Sequence, residues 1–273
     1  MYVCVSRIGG LGNQLFQYAA AKAVADTYGY LLLVEKEGSN GHNSLGHNYA
    51  TLLMKDAKEV HSLSDSTTTS FYHFIQPGGA FGPWSVQDIP TNPPKPVRLE
   101  GYFQYLPPLL SVLPGIRSML WECLSEQRKC MASQYGLCEN GDDTAIVMHI
   151  RRGDYTALPH IHFLQDQAYY EKAVSLMKQQ TVLKIHVVSD DIEWCKAQPW
   201  NFHVDIVFVD EPDELCGLAV MALCRGGAVI ANSTFSWWGA VLGNSRHVCY
   251  PSRWIRHDTV HDLFPKHWTR VET

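Results

Sequence analysis

The sequence predicts an α/β protein built on parallel sheets, and three observations carry that prediction. In the second half, short apolar runs alternate with helical patterns. The chain opens with the same order of strand, glycine-rich turn, helix and strand. Its most distinctive polar motifs stand directly behind apolar runs, and open parallel sheets bind ligands just outside the carboxyl ends of their strands. Apolar strands separated by helices of this length read as βαβ units.

Tyr2–Ser6 is the first expected strand. Arg7-Ile8-Gly9-Gly10-Leu11-Gly12 leads from it into a helix expected from Asn13 to Tyr28, closed by Gly29, since glycine adopts the left-handed helix cap without a Cβ penalty. Strand Leu31–Val34 completes the unit. Residues 38–48, rich in Gly, Asn, Ser and His, read as an exposed loop. The segment Gln76–Pro96 is dense in proline and glycine and is expected to be largely irregular. Tyr102, Phe103 and Gln104 read equally as a buried strand or as lining for a ligand. One amphipathic helix is expected over Leu109–Gln134. Cys138-Glu139-Asn140-Gly141-Asp142-Asp143 looks like a linker, which sets the expected domains at 1–140 and 141–273.

Beyond the linker, the expected strands are Ala145–Ile150, Lys184–Val188, Asp205–Val209, Gly227–Ala231 and His247–Tyr250. The expected helices between them are Gln167–Gln180, Asp191–Lys196, Asp213–Cys224 and Ser236–Gly243.

Bulk properties exclude several classes. The 273 residues are 46% apolar with a net charge of −5, so no global basic field recruits nucleic acid or acidic lipid. No apolar stretch approaches the roughly 20 residues needed to span a bilayer, and Met1–Val5 already reads as a strand rather than a signal peptide. A cytoplasmic protein is the expectation. The eight cysteines are scattered without a C-x-x-C pair, and the 13 histidines lack zinc-like spacing.

Three motifs follow strands. The first, His149-Ile150-Arg151-Arg152-Gly153-Asp154-Tyr155, sets two guanidiniums and a glycine at a strand end. Arginine presents a planar fork of donors suited to phosphate oxygens. The plain alternative is a surface arginine pair bridged to Asp154. The second motif is Ser189-Asp190-Asp191, and the third is Asn232-Ser233-Thr234-Phe235-Ser236-Trp237-Trp238-Gly239 at a helix start. Free N–H groups at such a start suit an anion; helix caps and a core tryptophan pair are the bland reading. Jointly the three motifs fall on one edge of one sheet and point to a phosphorylated ligand. Asp190 and Asp191 resemble a metal-binding pair, but a helix cap and a bracing role for one of them fit better. The Gly9–Gly12 loop lacks the third glycine of a dinucleotide fingerprint, and no acid ends the next strand before Glu35. Asn232-Ser233-Thr234 also fits an N-glycosylation sequon. Trp237 and Trp238 are expected in the core.

Gly9-Gly10-Leu11-Gly12-Asn13-Gln14-Leu15-Phe16-Gln17-Tyr18-Ala19, Gly101-Tyr102-Phe103-Gln104, His149–Tyr155 and Asn232–Gly239 resemble, in that order, glycosyltransferase family 11. Those are the GDP-fucose-dependent α-1,2-fucosyltransferases. Tyr169–Ala173 and the tail around Pro251, Trp254 and Trp268 are similar too, and the resemblance thins between positions 36 and 98. It implies a GT-B architecture: two Rossmann-like domains facing across a cleft, the C-terminal one a parallel doubly wound sheet holding the GDP-sugar and the N-terminal one holding most of the acceptor. It also implies an inverting reaction without metal or other cofactor, GDP-L-fucose serving as donor substrate.

Carried onto this chain, the resemblance makes Arg151 the grip on the donor pyrophosphate, with Arg152 assisting or anchoring its loop and His149 near the nucleotide. Ser233, Thr234, Phe235 and Ser236 would lie against GDP. Gly10, Gly12 and Asn13 would form the loop whose Asn13 faces the reacting sugar. Asp154 is a candidate general base, though a loop brace suits it better, and Asp190 would support the site. At one position the chain departs from the family pattern. Four residues before Met221, where the family usually carries an acid, stands Gly217. Glu214 and Asp213, a helical turn earlier, are candidates to pair with guanine instead. Two further readings stay open: a different GDP-sugar donor, and a non-catalytic glycan- or nucleotide-binding protein of the same fold. Acceptor and oligomeric state lie outside what the sequence tells.

Overall fold

A computed structural model describes residues 1–5, 7–35, 47–60, 71–177 and 184–273. Its packing divides the chain into two units. The first comprises Met1–Cys123 with Thr259–Pro265, the second Leu124–Asp258 with Lys266–Thr273.

The first unit contains β1 (Tyr2–Val5), α1 (Leu11–Tyr28), β2 (Leu31–Glu35), α2 (Tyr49–Leu53), β3 (Lys58–Val60), β4 (Tyr72–Ile75), β5 (Val97–Glu100) and α3 (Leu113–Cys123). The strands form one parallel sheet in the order β3-β2-β1-β5-β4. Val3, Cys4 and Val5 are fully buried at its centre. Helix α1 is apolar on nearly every side and ends at Gly29, whose left-handed backbone (φ 66°) donates its N–H to Ala25. The order reverses between β1 and β5, so the loops after these two strands share the crevice at the sheet's carboxyl edge.

The second unit contains α4 (Ser125–Tyr135), β6 (Ala145–Ile150), α5 (Gln167–Met177), β7 (Lys184–Ser189), α6 (Ile192–Lys196), β8 (Asp205–Val209), α7 (Glu214–Leu223), β9 (Gly227–Val229), α8 (Thr234–Gly243), β10 (Val248–Pro251) and β11 (Thr269–Val271). Its parallel sheet runs β11-β10-β9-β6-β7-β8. Numbered from β6, that is the doubly wound Rossmann order, with the reversal between β6 and β9. All six residues of β6 are buried because both its edges are paired and both its faces are covered. Among the described residues no helix is long and apolar enough to cross a membrane.

The α/β class and the expected strands of the second half are present, two with the expected ends and the others shifted by one or two residues. The helix expected over Leu109–Gln134 is two helices, α3 and α4, separated at Leu124, whose backbone (φ −92°, ψ 15°) leaves the helical region. The division therefore falls before α4 rather than at 140/141, because α4 packs on α7. A short return segment, Thr259–Pro265, belongs to the first unit. Strands β3, β4, β5 and β11 were not expected; three or four residues each, they carry too little periodicity to stand out. Tyr102–Gln104 is not a strand but the loop after β5. Gln76–Pro96 is irregular apart from two single turns of tighter helix, Gly79–Phe81 and Val86–Asp88. Ser6, residues 38–46 of the expected loop and the last three residues of the expected helix Gln167–Gln180 lie outside the described residues.

Candidate functional site

At the end of β6 the chain must turn while carrying two cations, and neighbouring carboxylates fix both. Arg151 gives one terminal nitrogen to Asp154 (2.5 Å) and the other to Asp190 (2.8 Å). Arg152 gives Nε to Asp191 (3.1 Å), and its guanidinium lies 3.9 Å over the Trp194 ring. The second oxygen of Asp190 accepts the Arg152 backbone N–H at 2.8 Å. One carboxylate thus holds both the guanidinium and the backbone turn beside it. Gly153 makes this possible: a Cβ there would stand 2.4 Å from the Asp190 oxygen. Asp191 caps α6 by accepting the Trp194 N–H. The cap and the brace expected of this pair therefore fall on Asp191 and Asp190 respectively.

Two guanidiniums against three carboxylates leave no local excess of positive charge. What Arg151 offers an incoming anion is directed donors. A guanidinium has five, two of which are engaged here, and its Nε is buried without a partner. Asp154, the candidate base, has its carboxylate committed to Arg151. The geometry makes it a brace.

His149 lies on β6, 3% exposed, its Nδ1 without a partner. Burial first, then the Arg151 charge, push its pKa down to about 3, so the ring is neutral across the physiological range. It packs 5.5 Å from the ring of Phe235, in the first turn of α8.

The segment after β9 is locked by Asn232, a residue not among those expected to act. Its amide donates to the carbonyls of Phe163 (3.1 Å) and Trp254 (2.9 Å) and accepts from Gln165 (3.1 Å). Its backbone carbonyl accepts the Tyr155 hydroxyl at 3.0 Å, and the Tyr155 ring stacks on His162 at 3.7 Å while lying under Arg151. The sequon asparagine is thus a fully bonded internal brace. Ser233 follows in extended backbone as the N-cap of α8, with no side-chain capping bond. Thr234 and Phe235 are partly exposed. Ser236 is fully buried, and its hydroxyl turns back onto the carbonyls of Ala231 and Ser233. Of the four residues expected to lie against a nucleotide, Ser236 therefore has its hydroxyl spent on the helix start. Trp237 and Trp238 are core residues, 0% and 1% exposed.

Gly217, on α7, borders this edge. A Cβ there would meet Val188 at 3.4 Å and Phe235 at 3.7 Å, ordinary contact distances. Glu214 shares its helix face one turn earlier, and burial pushes its carboxyl up to about 7. Asp213 caps α7 by accepting the Leu215 N–H, so its carboxylate is engaged in the helix start.

In the first unit the loop after β1 is pinned from beneath. Buried Arg7 donates to the Glu35 carbonyl (2.8 Å) and to Gln14 (3.1 Å), and Gln14 donates onward to the Gly9 carbonyl (2.8 Å). Gln17 bonds both the N–H and the carbonyl of Ile8. Asn13, in the first turn of α1, accepts from Gln104 at 3.1 Å. Gly10 caps the helix and Gly12 lies in its first turn, yet the position that requires glycine is Gly9. It has φ 77°, and a Cβ on it would stand 2.6 Å from the Asn13 amide nitrogen.

The Gly153 contact gives a direct test. Gly153→Ala should drive Asp190 off Arg151 and lower unfolding free energy by about 1–3 kcal/mol, the usual cost of a broken partly buried network. In an Asp190→Ala background the same substitution should cost under about 0.5 kcal/mol. Equal losses in both backgrounds, measured by urea denaturation, would show that the clash with Asp190 is not the cause.

Comparison with known proteins follows the same lines. The sequence profile of "Glycosyl transferase family 11" matches residues 113–271. The chain is 27% identical over 296 aligned positions to an alpha-1,2-colitosyltransferase of Escherichia coli, covering 100% of both chains. It is 25% identical to galactoside 2-alpha-L-fucosyltransferase SEC1 of Bos taurus, over 88% of this chain but only 64% of that relative. In fold it is similar to POFUT1 crystallised with GDP-fucose, with a TM-score of 0.52 over 91% of this chain and 96% of the other at 12% identity. That likeness is one of α/β, GT-B-class fold. The profile takes in more than half of the chain, and this protein is therefore a member of glycosyltransferase family 11.

Proposed function

We propose that the protein transfers L-fucose from GDP-L-fucose to a sugar hydroxyl, the 2-OH of galactose or a related residue, with inversion and without a metal. The observation that carries this reading is the placement of Arg151 and the start of α8 side by side at the reversal point of a Rossmann sheet. The second unit is then the donor-binding unit and the first unit the acceptor-binding one.

In a single displacement, an acceptor oxygen bonds to the anomeric carbon as the bond from that carbon to the phosphate oxygen breaks. GDP departs with the electron pair, and the acceptor proton passes to a base. Charge grows on the β-phosphate, and preorganised donors aimed there contribute most to rate. The unengaged N–H groups of Arg151 and the first-turn N–H groups of α8 are such donors. Asp154, Asp190 and Asp191 keep the arginines aimed, and their commitment to arginine supports a reaction that does without a cation. Arg152 anchors the turn through Asp191 and Trp194. His149, neutral, lines the nucleotide side with Phe235, Thr234 and Ser233. Asn13, in the first turn of α1, acts on the transferred sugar. Eight unpaired cysteines support action in a reducing compartment, the cytoplasm.

A second reading has its own observation. The relative covered end to end is named for colitose, which is L-fucose without its 3-hydroxyl. GDP release, measured with GDP-fucose, GDP-colitose, GDP-mannose, GDP-rhamnose and UDP-galactose, separates the two. Preference for GDP-fucose supports the first, preference for GDP-colitose the second, and release from none of them sinks both.

Arg151→Ala should lower turnover by at least about a hundredfold, the usual loss for one well-placed donor to a developing anion. Near-normal turnover from folded variant protein would remove Arg151 from its role. Glu214 is the proposed acceptor for guanine's N1–H and 2-amino donors, a task for its ionised form. Because burial raises this carboxyl to about 7, GDP binding should release a proton. GDP affinity should therefore rise between about pH 6 and pH 8. Glu214→Gln should bind GDP about ten- to a hundredfold more weakly, with that pH dependence gone. A flat affinity profile for the unaltered protein by calorimetry would refute the pairing.

A further inference from the structure

The loop after β5 is built to place one side chain. Phe103 has φ 55°, a left-handed backbone that costs a bulky side chain energy and persists only where its surroundings enforce it. Three contacts enforce it. The Phe103 N–H donates to the side-chain oxygen of buried Gln76 (2.6 Å), whose amide nitrogen in turn donates to the Gly82 carbonyl (3.1 Å). The Phe103 ring, fully buried, packs edge-on against Trp84 at 5.2 Å. Its carbonyl accepts the Tyr105 N–H at 2.8 Å, closing a tight turn centred on Gln104. The Gln104 N–H itself donates to the Ala80 carbonyl at 3.1 Å. With its backbone held on both sides, Gln104 is 5% exposed and its amide nitrogen reaches Asn13 Oδ1, 91 residues away in sequence.

We infer that Gln104 is a positioning residue that fixes which way the Asn13 amide faces. Resting on the reading of function above, it concerns the residue there assigned to the transferred sugar. An asparagine amide rotated by a half-turn presents an acceptor where a donor stood. The Gln104 N–H makes one orientation the bonded one, while the absent Cβ of Gly9 leaves room for the Asn13 nitrogen on the other side. A strained backbone at Phe103 is thereby spent on holding a single hydrogen-bond polarity across the crevice between the loops of β1 and β5.

Gln104→Glu keeps the size of the side chain but turns the donor into an acceptor facing the Asn13 carbonyl. GDP release from GDP-fucose, or from whichever GDP-sugar the protein uses, should fall about ten- to a hundredfold in kcat, as misplacement of a reacting group typically costs. KM for the donor should stay within about twofold, and Tm within a few degrees, as expected for a change confined to one polar pair. In an Asn13→Ala background, Gln104→Glu should have no further effect on kcat. A Gln104→Glu variant that turns over like the unaltered protein overturns the inference, as does an equal loss in the Asn13→Ala background. If Gln104→Glu does not fold, Gln104→Met serves for the same cycle, removing the donor without adding charge. Should the unaltered protein split no GDP-sugar, the reading of function fails and this inference falls with it. Turnover by the unaltered protein with an unaffected variant defeats the inference alone.

Discussion

The Asp190 carboxylate is the interaction on which the second unit's ligand edge depends. One of its oxygens holds the Arg151 guanidinium and the other the Arg152 backbone. Without it, Arg151 would keep only Asp154 and the Arg152 backbone N–H would lose its acceptor. With Asp154 and Asp191 it converts a cationic pair into a rigid, nearly neutral frame. Such an edge presents an anion with direction more than with charge. What it offers is oriented N–H groups in a partly buried place, where each is worth more than in water, and little net charge.

The frame is continuous with the strand beyond the reversal point. Tyr155, on the arginine loop, bonds the carbonyl of Asn232, and the Asn232 amide ties in two further segments, one through Phe163 and Gln165 and the other through Trp254. The start of α8 is therefore fixed relative to Arg151 through a hydrogen-bonded knot rather than through packing alone. Rigid placement of this kind avoids reorganisation when charge develops, the condition under which preorganised donors are most effective.

The first unit repeats the logic with neutral groups. Arg7 is buried and spent on holding Gln14 and the Glu35 carbonyl, Gln14 and Gln17 grip the loop, and Gln104 holds Asn13 from the neighbouring strand's end. Cations brace the architecture here instead of facing a ligand. The two units thus place different chemistry at equivalent points of similar sheets: charged forks in one, amides in the other.

Much of this was legible in the chain. The βαβ alternation of the second half, the buried run Ala145–Ile150, the arginine pair and the core tryptophans all follow from local pattern, because burial and turn chemistry leave periodic traces in sequence. Strands of three or four residues leave none, which is why β3, β4, β5 and β11 were hidden and why Leu109–Gln134 looked like one helix. Partnership between distant side chains is equally silent. No local feature says that Ser236 turns inward, that Asn232 is a brace, that Asp154 and Asp190 share Arg151, or that glycine is demanded at Gly9 rather than Gly10. The sequence by itself determined the kind of fold and the residues that gather at its edges, since both depend on short-range pattern. Which of those residues are bonded to the protein and which are left to meet a ligand was decided only by tertiary structure, because hydrogen-bond saturation is a property of neighbours far apart in the chain.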